Sequence, residues 1–180
     1  RRSFENKDIE YLLSRPVGRI QFVTSYIVGL IVLCSIFSIF AAGIIAFISQ
    51  GFGVGAALWM YSLFCELVIM SVAALFFAMA LSSPVTAILV TISFYVLSRL
   101  IGNLLGIADD FYSGTSFELM SNGIKALSSF VPRFDLMTQS SWLLYGAEGA
   151  VGYGFVTVQG IIFVAILSCA AMIDLVRRQF

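Results

Sequence analysis

The sequence predicts an all-α, polytopic membrane protein with four transmembrane helices, and three observations carry that prediction. Of its 180 residues, 60% are hydrophobic and only 11% charged, whereas soluble domains are about half apolar and about a quarter charged. Mean hydropathy is +1.01. No charge occurs between Arg19 and Glu66, a run far longer than the roughly 20 residues one bilayer crossing needs. Breaks rich in glycine and proline divide the apolar sequence into lengths that fit single spans. The whole of residues 1–180 is therefore read as one transmembrane domain.

The first element, residues 1–19, is charged and amphipathic. Leu12 and Leu13 stand three and four residues after Ile9, which gives one apolar side to a short helix, with Glu10 and Arg15 off that side. Pro16 disfavours helical geometry at Arg15, so this helix ends there. Arg19 then marks the threshold of the first span. The pattern fits a helix lying at the water interface.

Spans are predicted over residues 22–48, 56–81, 85–105 and 154–173. Gln50 to Gly55 contains three alternating glycines and separates the first pair. Ser82-Ser83-Pro84 is too short for a domain, so the second and third spans form a hairpin.

The segment 107–153 differs, holding Asp109, Asp110, Glu118, Lys125, Arg133, Asp135 and Glu148 among aromatic and aliphatic residues. Thr115 with Glu118 fits a capping box that opens a helix ending before Pro132. Asp135 is expected to cap a second helix running towards Tyr145, with Trp142 and Tyr145 suited to the membrane interface. Neither is long enough to cross, so both are read as short re-entrant or surface helices.

Orientation follows from charge. Four spans place both ends on one side, with seven of the ten basic residues: Arg1, Arg2, Lys7, Arg15, Arg19, Arg177 and Arg178. The positive-inside rule makes that side cytoplasmic.

The stretch from Arg2 to Arg19 resembles the segment before the third span of type-2 ABC exporter permeases. Glu10, Leu12, Leu13, Ser14, Arg15, Pro16, Val17 and Arg19 match, in order, the glutamate, two leucines, small residue, basic residue, proline, aliphatic residue and closing arginine of that family. Phe130 to Leu136, F-V-P-R-F-D-L, is similar to a proline-containing motif between the family's last two spans, and Arg177-Arg178 resembles its basic ending. The chain departs from many relatives at Lys7-Asp8, where they carry Gly-Thr, and at Ser25-Tyr26, where they carry Gly-Lys.

The resemblance implies that residues 1–19 form a cytoplasmic coupling helix docked on a separate ATP-binding subunit, with Glu10, Leu12, Leu13, Ser14, Arg15, Pro16 and Arg19 as contacts. It also implies a homodimer or pseudo-dimer of permease subunits surrounded by membrane lipid, in a bacterial inner membrane. Two further spans would precede Arg1, and the sequence is read as the C-terminal part of the permease.

The sequence offers little other chemistry. It lacks a phosphate loop of the G-x-x-x-x-G-K type, so ATP hydrolysis is expected on the partner chain. There are no histidines, and Cys34, Cys65 and Cys169 all lie in apolar runs, which argues against a metal centre or disulfide framework. Zero net charge gives no reason to expect nucleic acid. Asp109-Asp110 reads as a solvated loop rather than a cation site, and Ser35, Ser38, Ser71 and Ser93 as helix-packing residues. No catalytic residue and no cofactor are predicted. The competing class is a polytopic membrane protein without an ATPase partner, such as an assembly factor or ion-driven carrier.

Two charges fall inside predicted spans, Glu66 and Arg99. A charge near the bilayer centre costs at least about 2.5 kcal/mol on insertion scales. Glu66 stands ten residues and Arg99 six from the outer ends of the predicted spans, roughly 15 and 9 Å deep at about 1.5 Å per residue. Thr91, Tyr95, Ser98, Arg99 and Gly102 share one side of the third span, and Ser62, Glu66 and Ala73 share one side of the second. An intramembrane pair facing the bundle interior is expected. The alternative has Arg99 snorkelling to the outer headgroups and a neutral Glu66 against a hydroxyl.

Overall fold

A computed structural model describes residues 19–48, 53–110, 123, 128, 131–146 and 151–177, and among these the only regular structure is helical. The helices are α1 (Arg19–Ile48), α2 (Val54–Ala80), α3 (Pro84–Asp110), the short α4 (Ser141–Tyr145) and α5 (Tyr153–Arg177), with a 3-10 turn at Phe134–Leu136. Four of them, α1, α2, α3 and α5, are long and apolar enough to cross a membrane. At 30, 27, 27 and 25 residues, each also exceeds the roughly 20 residues required.

Local sequence sets the boundaries. Gly53 is extended and opens α2 without a side-chain cap, its carbonyl accepting the Ala57 amide at 3.1 Å. At the other end Leu81 turns extended, its amide still bonded to Phe77. Pro84 occupies the first position of α3, where its missing N–H costs nothing. Ser83 supplies the carbonyl that accepts both the Ala87 amide and the Thr86 hydroxyl.

The helix α2 is the hub, packing against α1, α3, α4 and α5. At the end that brings together the starts of α1 and the ends of α2 and α5, hereafter the lower end, Val23, Ile27, Val72, Met79, Ala171 and Leu175 form an apolar core. Ser38 Oγ donates to the Met60 carbonyl at 3.1 Å, and Cys34 Sγ lies 3.2 Å from Ser71 Oγ, so these small polar residues tie α1 to α2. Ser35 instead turns back on its own helix, to the Ile31 carbonyl. The outer face of α1 is apolar and exposed, with Ile36, Phe37, Ile39 and Phe40 among its residues, as a lipid-facing helix requires.

At the upper end, which carries Val54, Asp110 and Tyr153, the described residues 131–137 do not stay at the surface. Val131, Pro132, Phe134 and Met137 are buried, and Phe134 and Met137 join Cys65, Ile69 and Val156 in a second core. The predicted helix from Asp135 to Tyr145 is not continuous. A 3-10 turn ends at Leu136, and α4 begins only at Ser141. Asp135 caps nothing, because its carboxylate accepts from Arg133 Nη2 at 2.9 Å. Trp142, expected at the membrane interface, is buried. Its carbonyl lies so close to Gly55 that a Cβ there would overlap it, so glycine is what lets α4 approach α2. The helix expected from Thr115 to before Pro132 lies outside the described residues apart from Gly123 and Ser128, both helical, and Val131, which is not.

Candidate functional site

Irregular backbone at membrane depth is tolerated only where its polar groups are satisfied within the protein. In the segment Val131–Gln139, side chains of α2 and α3 satisfy the Thr138 amide and the carbonyls of Phe134 and Met137, and this is where the two intramembrane charges lie.

Glu66 stands twelve residues into α2, and Arg99 eleven residues before the end of α3, roughly 18 and 16 Å at about 1.5 Å per residue. The continuation of α3 to Asp110, five residues past the predicted end of that span, brings the two to nearly equal depth. Arg99 Nη2 lies 3.6 Å from Glu66 Oε1, with the Glu66 side chain only 7% exposed and that of Arg99 33%.

The guanidinium does more than face a carboxylate. Arg99 Nη1 donates to the carbonyl of Phe134 and, at 2.9 Å, to that of Met137. Arginine suits this position because its donors form a rigid planar fork able to serve several acceptors at once. Glu66 uses its other oxygen, accepting the Thr138 hydroxyl at 2.6 Å. One turn earlier on α2, Ser62 Oγ accepts the Thr138 amide at 2.8 Å.

These bonds explain why no continuous helix forms after Asp135. In an α-helix the Thr138 amide would bond to the Phe134 carbonyl. Here the amide goes to Ser62, while the carbonyl is taken by Arg99 and by the Met137 amide at 3.1 Å. Thr138 adopts φ +50°, a conformation that a β-branched residue rarely visits and that costs about 1–3 kcal/mol. Two bonds from α2 hold it there.

Around this centre, Tyr95 packs on Phe134 with ring centroids 6.1 Å apart. Gly102 lies against the Asp135 side chain, where a Cβ would overlap the carboxylate. Gln139 Nε2 donates to the Asp135 carbonyl at 3.2 Å. The α3 side bearing Tyr95, Ser98, Arg99 and Gly102 thus seats the segment from one flank, and Ser62 and Glu66 seat it from the other.

Both Glu66 and Arg99 could be found in the sequence, because a charge inside an apolar run is conspicuous. Thr138 and the carbonyls of Phe134 and Met137 could not, since nothing in their local pattern marks a contact 35 to 76 residues away. Of the alternative set out for this pair, the hydroxyl on Glu66 is present, from Thr138, but Arg99 turns to Glu66 and to the carbonyls of Phe134 and Met137 rather than to the outer headgroups. Among the described residues no group of His, Cys, Asp and Glu could hold a metal ion.

The predicted coupling residues Glu10, Leu12, Leu13, Ser14, Arg15 and Pro16 lie outside the described residues, and of Arg19 only the backbone is described, as the first residue of α1. The side chains of Asp109 and Asp110 also fall outside them. No family model, curated protein or solved structure matches this chain.

Proposed function

We propose that the chain is the membrane-spanning permease subunit of an ATP-driven exporter, paired with a second permease subunit and driven by a separate ATP-binding subunit. The observation that carries this reading is the stretch Glu10 to Arg19, E-Y-L-L-S-R-P-V-G-R, standing directly before α1, which opens at Arg19. Its order of glutamate, leucine pair, basic residue, proline and arginine is that of the coupling segment in type-2 ABC exporter permeases. Both ends of the chain face the cytoplasm in this reading, so the upper end of the bundle faces outward. ATP binding closes the partner dimer, the coupling segment moves, and the spans re-orient in alternating access. The segment Val131–Gln139, clasped by Arg99, Glu66 and Ser62, then closes the outward end of the bundle.

The test is biochemical. The intact protein should purify with an ATPase whose hydrolysis depends on it. Reversing the charges of Glu10 and Arg15 should leave insertion and expression unchanged while lowering transport-linked hydrolysis. Full transport by the doubly reversed protein, or transport by the purified protein with no ATPase present, would overturn the proposal. The second outcome would favour an ion-driven carrier.

A further inference from the structure

Sequence and fold disagree over residues 135–145, and such disagreements are expected at functional or strained sites. Asp135 signals the N-cap of one helix running to Tyr145, and Gly146, at φ +81°, closes that run. The structure instead has a 3-10 turn, the left-handed Thr138 and then α4.

The helical bonds missing across this break have stand-ins. In the helix the Asp135 carbonyl would accept the Gln139 amide. Here the side chain of the same Gln139 reaches that carbonyl through Nε2. The Met137 carbonyl would accept the Ser141 amide, and here accepts from Arg99 Nη1. The Asp135 carboxylate would cap an amide of the first turn. Here Arg133 holds the carboxylate, and Ser62 takes the Thr138 amide.

Closing the helix therefore exchanges partners. Thr138 would leave its φ of +50° for an ordinary helical one. Ser140 and Ser141 are exposed, and their amides have no partner among the described residues. In the helix they would gain the Leu136 and Met137 carbonyls. Arg99 has a second partner waiting, because its Nη2 stands 3.6 Å from Glu66 Oε1, just beyond hydrogen-bonding range. Released from Met137, the guanidinium can close on Glu66 as Glu66 gives up the Thr138 hydroxyl.

We propose that residues 135–145 are a two-state element: a strap bonded to α2 and α3 as in this structure, and one continuous helix once Thr138 leaves Ser62 and Glu66. Ser62 and Glu66 are both buried, and Thr138 is bonded to each of them. The change to helix removes that cover and opens the intramembrane charge pair to the upper end. The inference does not depend on the ATP-driven reading, since the bonds named here set both states.

The experiment follows amide hydrogen exchange, resolved to single residues, on the full-length protein in phosphatidylcholine nanodiscs. It compares Ser62→Ala/Thr138→Ala with Ser62→Ala/Thr138→Gly. Both variants lack the two bonds to α2 and differ only at position 138, where alanine favours the helix and glycine the left-handed break. Exchange at Ser140 and Ser141 should be at least about ten-fold slower in the alanine variant. Leu136 and Met137, whose amides now bond back to Arg133 and Phe134, become first-turn amides and should not slow. Adding Asp135→Ala removes the cap and should reverse most of the slowing, whereas Asp135→Asn, which still caps, should keep it. Equal exchange at Ser140 and Ser141 in the two variants would overturn the proposal. So would faster exchange throughout 134–141 in the alanine variant, which is unfolding, or slowing that survives Asp135→Ala. Should the doubly altered proteins fail to fold, Thr138→Ala against Thr138→Gly with Ser62 intact decides by sign: slower exchange with alanine supports the two-state element, and equal or faster exchange overturns it.

Discussion

The lower and upper halves of the bundle are held together by different physics. Below, Val23, Ile27, Val72, Met79, Ala171 and Leu175 close a core from three helices whose backbone bonds are internal. In lipid such a core rests on packing, because hydrocarbon outside is as apolar as the leucines within. Above, the buried segment around Phe134 and Met137 has irregular backbone, so its place depends on whether Arg99, Glu66 and Ser62 satisfy it. The lower core can lose a contact and remain the same structure. The upper region has a few specific bonds whose loss leaves charged or polar groups stranded at membrane depth.

The largest expected effect comes from Arg99→Leu. It leaves Glu66 without its opposite charge and takes the donor from two carbonyls, of which that of Phe134 keeps the Met137 amide. Removing one partner of a buried pair costs about 3–5 kcal/mol, and with a guanidinium one-third exposed a loss of about 2–4 kcal/mol is expected. Thermal unfolding in detergent should report it as a markedly lower midpoint. Exchanging the charges, Glu66→Arg with Arg99→Glu, should not restore the protein, because a carboxylate at position 99 would face the carbonyls of Phe134 and Met137. Rescue by the exchange would show that the ion pair alone matters.

Gly55→Ala should follow, at roughly 1–3 kcal/mol, because its methyl would meet a backbone carbonyl of α4 that cannot swing aside. Leu175→Ala, in the lower core, belongs to the range of about 2–5 kcal/mol for deep cores, and its 7% exposure places it at about 2 kcal/mol. It should lower the unfolding midpoint without exposing Val131–Gln139 to protease, which distinguishes the two halves directly.

Thr138→Val removes the hydroxyl given to Glu66 while keeping shape and the Ser62 bond, for about 1–2 kcal/mol. The smallest effect is expected for Gly102→Ala. There the obstructing group is the Asp135 side chain, whose carboxylate can rotate away while its Cβ, 3.0 Å from the added methyl, gives by a few tenths of an ångström; what is lost is the pair with Arg133, whose side chain is 35% exposed, worth about 0.5–1 kcal/mol.

How far each half was legible in the sequence follows the same division. The four spanning helices and the hairpin at Ser82–Pro84 could be read from runs of apolar residues and from Pro84, since both act locally. Glu66 and Arg99 stood out for the same reason. The helix expected after Asp135 illustrates the limit. Aspartate before an aromatic and aliphatic run is a sound capping signal, but Arg133 claims its carboxylate, Arg99 claims the Phe134 carbonyl, and Ser62 claims the Thr138 amide. Two of those three competitors are distant in sequence. The burial of Trp142 was unreadable for a similar reason: Gly55, far upstream, leaves room for α4 to press against α2.

The central claim is that side chains of α2 and α3, with Arg99 foremost, hold Val131–Gln139 within the bundle. Amide hydrogen exchange in nanodiscs, read on peptides covering Phe134 to Thr138, tests it most directly. Arg99→Leu should speed exchange there at least about ten-fold, the factor given by about 1.4 kcal/mol of opening free energy, while peptides from the lower core around Val72 and Ala171 stay unchanged. Exchange that is unaltered at Phe134–Thr138, or that rises equally in both halves, would contradict the account.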